Sequence, residues 1–114
     1  MIPEPDLARI RRWVTARNSE LSEEVRNQLR LELDVTDRAV TIVDCRPPWN
    51  PEKSSEWTRS PVARLRYTKY LREWSLYWCD RNSKFHEYDL VEPSPDVGEL
   101  IAEIEADPTA IFWG

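Results

Sequence analysis

A chain of 114 residues with 40% hydrophobic and 32% charged residues is the size of one domain and is too apolar for wholesale disorder. Its formal net charge of −5 is unevenly spread, because residues 1–88 carry all 16 basic residues whereas residues 89–114 carry seven acidic residues and no basic ones. We expect a single domain over residues 1–114, in which the acidic end is either a solvated helix face or packed over a basic face of the same domain.

The sequence disfavours a membrane-spanning or secreted protein. No run approaches the roughly 18 consecutive apolar residues of a membrane span, and the opening residues lack the basic-then-apolar order of a secretory signal. Cys45 and Cys79 stand far apart and outside any Cys-x-x-Cys spacing, which supports neither a disulfide framework nor a zinc site. We expect a cytoplasmic protein with no membrane partner, no metal and no other cofactor.

The first predicted element is an N-terminal helix with its connection, in residues 1–20. Pro3 and Pro5 stand at its start. Its apolar residues recur at helical spacing, at Leu7, Ile10, Trp13 and Val14. This spacing predicts one apolar stripe that faces the core of the domain.

A β-hairpin is predicted next, from residues 25–33 and 40–43 with a loop at residues 34–38. The first segment alternates apolar and charged residues, and the second is a β-branched run that needs a neighbouring strand. A helix remains the alternative for the first segment. Its apolar residues also recur every four positions, at Leu21, Val25, Leu29 and Leu33.

A long loop is predicted for residues 46–61, because this segment holds four prolines and three serines and cannot continue a helix or a strand ladder. The three segments that follow it, residues 62–70, 74–79 and 84–90, are rich in aromatic and β-branched residues. Residues 80–83 supply turn chemistry between the last two. The pattern predicts an antiparallel meander of three strands.

An acidic helix and an apolar tail are predicted for residues 94–114. Ser94 is the predicted N-cap, Pro95 the first helical residue, and the helix ends near residues 107–108. Its apolar stripe consists of Val97, Leu100, Ile101 and Ile104. The predicted fold is therefore α+β, an antiparallel sheet of about five strands with helices on one face, in the order α-β-β-loop-β-β-β-α.

Five short motifs occur in order along the chain. They are DCRPPW at 44–49, ARLRY at 63–67, WSLYW at 74–78, KFHEY at 84–88 and DPTAIFWG at 107–114. Together they resemble the bacterial family Domain of Unknown Function 3024, over roughly residues 25–114. Asp44, where the family commonly has glutamate, and Phe85, where it often has tryptophan, are mild departures. The resemblance implies a small intracellular bacterial protein and supplies no activity, cofactor or catalytic residue.

Catalytic chemistry finds little support in the sequence. A nucleophilic pair of Cys79 with the single histidine, His86, would require thiol and imidazole within hydrogen-bond reach, yet a predicted turn separates them. We expect a structural histidine and no catalytic residue. A glycine-rich phosphate loop is excluded because the two glycines are Gly98 and Gly114, and one histidine with two unspaced cysteines does not supply three convergent metal ligands.

One face of the predicted sheet carries arginines. Arg64 and Arg66 alternate with apolar residues, and Arg26 and Arg30 extend the same face if the first hairpin joins the sheet, with Tyr77 beside them. Cations interleaved with aromatic rings are typical of sites for single-stranded nucleic acid. The competing interpretation is structural, because such arginines commonly pair with nearby carboxylates. The nearest ones in the predicted sheet are Glu32, Glu73 and Glu87.

The long loop offers a second candidate surface, formed by Arg46, Trp49 and Trp57. Long irregular loops in compact domains are usually functional or disordered, and tryptophans on a flexible segment are costly to expose. The two tryptophans therefore either pin the loop to the body or line a groove for a peptide or protein partner.

These patterns favour a non-enzymatic domain that binds a protein partner or a second copy of itself, with single-stranded nucleic-acid binding as the alternative. We expect a closed two-fold dimer through the loop and a sheet edge. The alternative is a monomer whose edge is blocked by the charges of the loop. These are Glu52, Lys53, Glu56 and Arg59.

Overall fold

The computed structural model describes residues 2–48, 50, 52–53 and 55–113, and of Arg26 the backbone alone. These residues form three helices and five strands. In chain order they are α1 (Glu4–Ser19), α2 (Glu23–Arg26), β1 (Arg30–Val35), β2 (Ala39–Arg46), β3 (Thr58–Thr68), β4 (Glu73–Cys79), β5 (Phe85–Glu87) and α3 (Val97–Ala106). The strands form one antiparallel sheet in the order β1-β2-β3-β4-β5. The predicted α+β fold is confirmed.

The first strand begins later than predicted, at Arg30 instead of residue 25. The side chain of Ser22 accepts a hydrogen bond from the N–H of Val25 at 3.3 Å, which caps the short helix α2. The segment therefore combines both interpretations, a helical turn followed by a strand. A three-residue turn then leads from Val35 to Ala39, so the predicted loop at 34–38 is too long.

Strand β3 begins inside the predicted long loop. Its first residue, Thr58, pairs with Arg46, so the irregular segment ends at residue 57 and not at residue 61. The register shifts between Ile42 and Val43, opposite Pro61. A bulge of this kind tolerates a proline, which cannot donate to the ladder. The prolines of residues 46–61 therefore do not exclude a strand from residue 58 onward, because Pro61 lies at the bulge.

Helix α3 is capped by Asp96, two residues after the predicted cap. The Asp96 carboxylate accepts from the N–H of Gly98 at 2.9 Å. Ser94 cannot begin the helix, because its backbone exchanges two hydrogen bonds with Trp74, at 2.8 and 2.9 Å. At the other end Asp107 adopts a left-handed conformation with φ 42° and ends the helix.

The core lies between the two long helices and one face of the sheet, the helix-covered face. The strands contribute Val40, Ile42, Leu65, Trp74 and Leu76 to it. The helices contribute Ile10, Val14, Leu100 and Ile104. The apolar tail packs on the same cluster through Phe112, because Asp107 accepts the backbone N–H groups of Phe112 at 3.1 Å and Trp113 at 2.9 Å.

Candidate functional site

The face of the sheet opposite to the helices carries four arginines and is called here the arginine face. By strand register it includes Arg30 in β1, Arg59, Arg64 and Arg66 in β3, and Tyr77 in β4. Four of the five residues predicted for a nucleic-acid surface thus share one face, at Arg30, Arg64, Arg66 and Tyr77. Arg26 is the exception and that placement was wrong, because residue 26 lies in α2 outside the sheet.

Two arginines of this face contact acidic residues of β1. The Nε of Arg30 donates to Glu32 at 2.9 Å, and its guanidinium lies 4.3 Å from the ring centre of Trp57. Arg59 donates to Asp34 at 2.7 Å. These contacts satisfy both cations locally, as the structural interpretation expects.

Arg64 is engaged in the centre of the face. Its Nε donates to the Thr41 hydroxyl at 3.0 Å, and its guanidinium lies 3.9 Å from the ring centre of Phe85. Register places four carboxylates among the four arginines, at Glu32, Asp34, Glu73 and Glu87. The arginine face is therefore close to neutral, and it lacks the excess of cations that phosphate binding requires.

The two thiols are poorly suited to catalysis. Cys45 is fully buried, and burial together with a hydrogen bond to Glu32 raises the pKa of its thiol. Burial also raises the pKa of Cys79. Thiols with raised pKa values are weak nucleophiles at neutral pH.

The Cys79–His86 pair considered from the sequence is not assembled. Register pairs His86 with Trp78 and Cys79 with Phe85, so the two side chains lie on opposite faces of the sheet. The imidazole stacks on Trp78 at 4.6 Å, and its Nε2 lies 2.7 Å from the Asp80 carboxylate. This hydrogen bond and the backbone N–H of Lys84 lower the pKa of Asp80. The contacts of His86 are therefore those of a structural histidine.

The predicted loop surface of Arg46, Trp49 and Trp57 is only partly described. Trp49 lies outside the described residues. Trp57 is half-buried beneath Arg30 and holds the end of the loop to the arginine face. Arg46 points elsewhere, to a pocket at the far end of the helix-covered face.

This pocket, called here the tail pocket, has a volume of about 240 Å³. The end of α1, the segment before β1, β2 and the apolar tail all contribute to it. Its lining consists of Arg17, Asn18, Leu21, Leu29, Leu31, Asp44, Arg46 and Trp113. Of this set, the sequence predicted only Arg46 as a binding residue.

Hydrogen bonds hold the walls of the tail pocket in place. The Asn18 amide accepts from the N–H of Leu31 at 2.9 Å and donates to its carbonyl at 3.0 Å, which ties α1 to β1. The indole N–H of Trp113 donates to the Ile104 carbonyl at 2.8 Å. Arg17 lies 4.1 Å from the ring centre of Trp113 and 3.0 Å from Glu105. These contacts position Asn18, Trp113 and Arg17 in the wall of the pocket.

Asp44 brings a buried side-chain oxygen without a hydrogen-bond partner to the tail pocket. Its Oδ1 is buried and accepts no hydrogen bond within the part of the chain that the structure describes. Its Oδ2 lies 3.5 Å from an Arg46 nitrogen, at the limit of a hydrogen bond, and the Arg46 side chain is 64% exposed. A buried carboxylate oxygen without a hydrogen-bond donor is unfavourable. The pocket is therefore suited to a ligand that donates a hydrogen bond to this oxygen.

One sequence signal could have found this site. Asp44 and Arg46 belong to the DCRPPW motif, and Trp113 belongs to the DPTAIFWG motif. The two motifs lie about sixty residues apart in sequence, yet the structure brings them to one pocket. Arg17, Asn18 and the three leucines lie outside every motif.

Membrane-spanning helices and metal-ligand clusters are two further features to consider. Among residues 2–48, 50, 52–53 and 55–113, no helix is both long and apolar enough to cross a membrane. Within the same ranges, no three His, Cys, Asp or Glu side chains are grouped to hold a metal ion.

Comparison with known proteins returns one family. A family described as "Domain of unknown function (DUF3024)" matches residues 2–114, which includes the N-terminal helix that the motifs do not reach. No curated protein and no solved structure shows a significant match.

Proposed function

The chain belongs to the DUF3024 family, and we propose that it is a non-enzymatic binding domain whose partner is a protein. The observation that carries this proposal is the unpartnered Oδ1 of Asp44 in the tail pocket. The volume of about 240 Å³ lies below the roughly 300–1,000 Å³ that is usual for small-molecule sites. A single side chain of a protein partner fits such a volume.

The occupant that matches the tail pocket is a lysine or arginine side chain. Its nitrogen would donate to Asp44, and its methylene groups would pack against Leu29 and Leu31. Arg46 would give way at little cost, because it is mostly exposed and held by one contact of 3.5 Å. Arg17 would stay in place, since Glu105 and Trp113 hold it.

The test is an NMR titration of the ¹⁵N-labelled protein with n-butylguanidinium and n-butylammonium. We expect shifts at the Leu31 amide and the Trp113 indole N–H, with a Kd on the order of millimolar for so few atoms. Asp44→Asn keeps the shape of the side chain and removes its charge. It should weaken the binding of both cations at least tenfold. Asp89→Asn, a change at an exposed aspartate, is the matched control and should bind normally.

Two results would contradict the proposed site. One is the absence of shifts at Leu31 and Trp113 for both cations. The other is equal binding by n-butanol, which has the methylene groups without the charge, because apolar contact alone would then explain the pocket.

A second copy of the chain is the simplest protein partner to test. β1 is an edge of the sheet; Asn18 already bonds the N–H and carbonyl of Leu31, so pairing with another strand would use the backbone groups beyond Leu31. Charged residues of this edge strand oppose such pairing: Glu32 pairs with Arg30 of the same strand, and Asp34 pairs with Arg59 of β3. Sedimentation equilibrium at micromolar concentration decides between the dimer that we propose and a monomer.

We further propose that the protein acts in the bacterial cytoplasm. The resemblance to a bacterial family supports the source, and the two unpaired thiols of Cys45 and Cys79 suit a reducing compartment. Fractionation of a bacterial cell that carries the gene, followed by immunoblotting, should recover the protein with the cytosol. Recovery in the membrane or periplasmic fraction would contradict this location.

A further inference from the structure

A second, larger cavity lies at the opposite end of the sheet from the tail pocket. It has a volume of about 710 Å³ and lies between the β1–β2 and β3–β4 turns; we call it the hairpin-end basin. The charged residues and the exposed tyrosine that line it are Arg38, Arg66, Lys69, Asp37 and Tyr70. The N–H of Tyr67, near the end of β3, donates to the carbonyl of Arg38 in the β1–β2 turn at 2.7 Å.

The hairpin-end basin concentrates cations that the fold does not use. Arg38, Arg66 and Lys69 make no side-chain hydrogen bond or ion pair within the described part of the chain, and a single carboxylate, Asp37, lines the basin with them. Arg72 adds a fourth cation on the same turn. This differs from the rest of the arginine face, where the arginines are paired. Like charges gathered without partners favour an anionic ligand.

An aromatic ring stands beside these cations. Tyr70 is 93% exposed and its neighbour Leu71 is 57% exposed, at the tip of the β3–β4 turn. Tyr67 is different, because its ring packs against Trp74 with 5.2 Å between ring centres. Tyr70 is therefore the ring available for stacking, and an exposed ring beside unpaired cations can bind a base and its phosphates together.

We propose that the hairpin-end basin binds single-stranded nucleic acid, with Arg38, Arg66 and Lys69 contacting phosphates and Tyr70 stacking on a base. A phosphate ion or an acidic peptide would use the cations and leave the tyrosine unused. The remainder of the chain is acidic and repels phosphates. The bound oligonucleotide is therefore confined to this end of the protein, and the contact covers only a few nucleotides. This proposal is independent of the tail pocket and replaces the arginine face as the predicted nucleic-acid surface.

The first experiment measures fluorescence anisotropy of fluorescein-labelled dT12 and U12 at 50 and 200 mM NaCl. Three or four neutralised phosphates should weaken binding roughly 20- to 50-fold over this range. Arg66→Gln and Lys69→Gln should each lower the affinity and flatten the salt dependence. Arg81→Gln removes the same charge from an exposed site on the β4–β5 turn, at the other end of β4, and should change neither.

The second experiment tests the stacking ring. Tyr70→Phe keeps the ring and should bind as the parent does, whereas Tyr70→Leu should lose roughly fivefold or more in affinity with the salt slope unchanged. Asp44→Asn should bind the oligonucleotides normally, which separates this proposal from the tail pocket. Circular dichroism of each variant confirms that the exposed substitutions leave the fold intact.

Several results would overturn the proposal. They are no anisotropy change at 50 mM NaCl, equal loss of binding in Arg81→Gln, and no effect of Tyr70→Leu. Equal competition by oligo-aspartate would show a general polyanion site. Binding to phosphatidylglycerol vesicles without binding to either oligonucleotide would assign the basin to membrane lipid instead.

Discussion

Truncation of each of the two tryptophans on β4 should lower the free energy of unfolding by very different amounts. Trp74 and Trp78 lie on the same face of the same strand, and the two-residue period of a strand alone predicts both as core residues. The structure separates them, because Trp74 is 0% exposed whereas Trp78 is half-buried at the edge of the core cluster. We expect Trp74→Ala to destabilise the domain far more than Trp78→Ala.

The contacts of the two rings give the magnitudes. Trp74→Ala removes a fully buried ring and should cost about 3–5 kcal/mol. Trp78 stacks on His86 at 4.6 Å and is only half-buried, so its truncation should cost about 1–2 kcal/mol. A domain of this size is stable by about 5–15 kcal/mol, so Trp74→Ala threatens folding itself.

A milder variant keeps the prediction measurable if Trp74→Ala does not fold. Trp74→Phe retains most of the ring and removes the indole N–H, which donates to Asp6 at 2.9 Å. The loss of this hydrogen bond should cost about 1–2 kcal/mol. A double-mutant cycle with Asp6→Ala isolates the contribution of the pair.

Urea unfolding followed by circular dichroism measures these free energies. Equal m values among the variants would show that the unfolded states are comparable. Equal costs for Trp74→Ala and Trp78→Ala, or a cost below about 2 kcal/mol at Trp74, would refute the reasoning from burial.

Three further predictions follow from individual side chains. Asp44→Asn should leave the melting temperature unchanged or raise it, because residues kept for binding are often unfavourable for stability; a clear loss would make Asp44 structural. Burial and the hydrogen bond to Glu103 raise the pKa of Tyr88 to about 12, so its contribution to stability is complete below pH 10 and lost as the pH rises toward 12. The unfolding free energy of Tyr88→Phe should fall less steeply than that of the parent across this window. Cys45 should resist Ellman's reagent in the native protein and react in urea, and fast native reaction would contradict its burial.

The sequence alone predicted the elements whose pattern is local. The stripe of α3 needs only helical spacing, and the alternation of residues 74–79 needs only the two-residue period of a strand. The order of helices and strands followed from such patterns. Residues 23–26 show the limit of this approach, because four-residue spacing and alternation overlap there and Ser22 decided the outcome locally.

The sites were decided by tertiary structure. Asp44, Arg46 and Trp113 meet because β2 and the tail end beside the same helix, which depends on the pairing of distant segments. The pairing of strands also decides which arginines are available to bind a ligand. Arg64 and Arg66 are two residues apart and indistinguishable by pattern, yet Thr41 and Phe85 engage the first while the second faces the hairpin-end basin. Strand periodicity determines the face on which a side chain lies, whereas its neighbours across the sheet depend on register, which is set by contacts far apart in the chain.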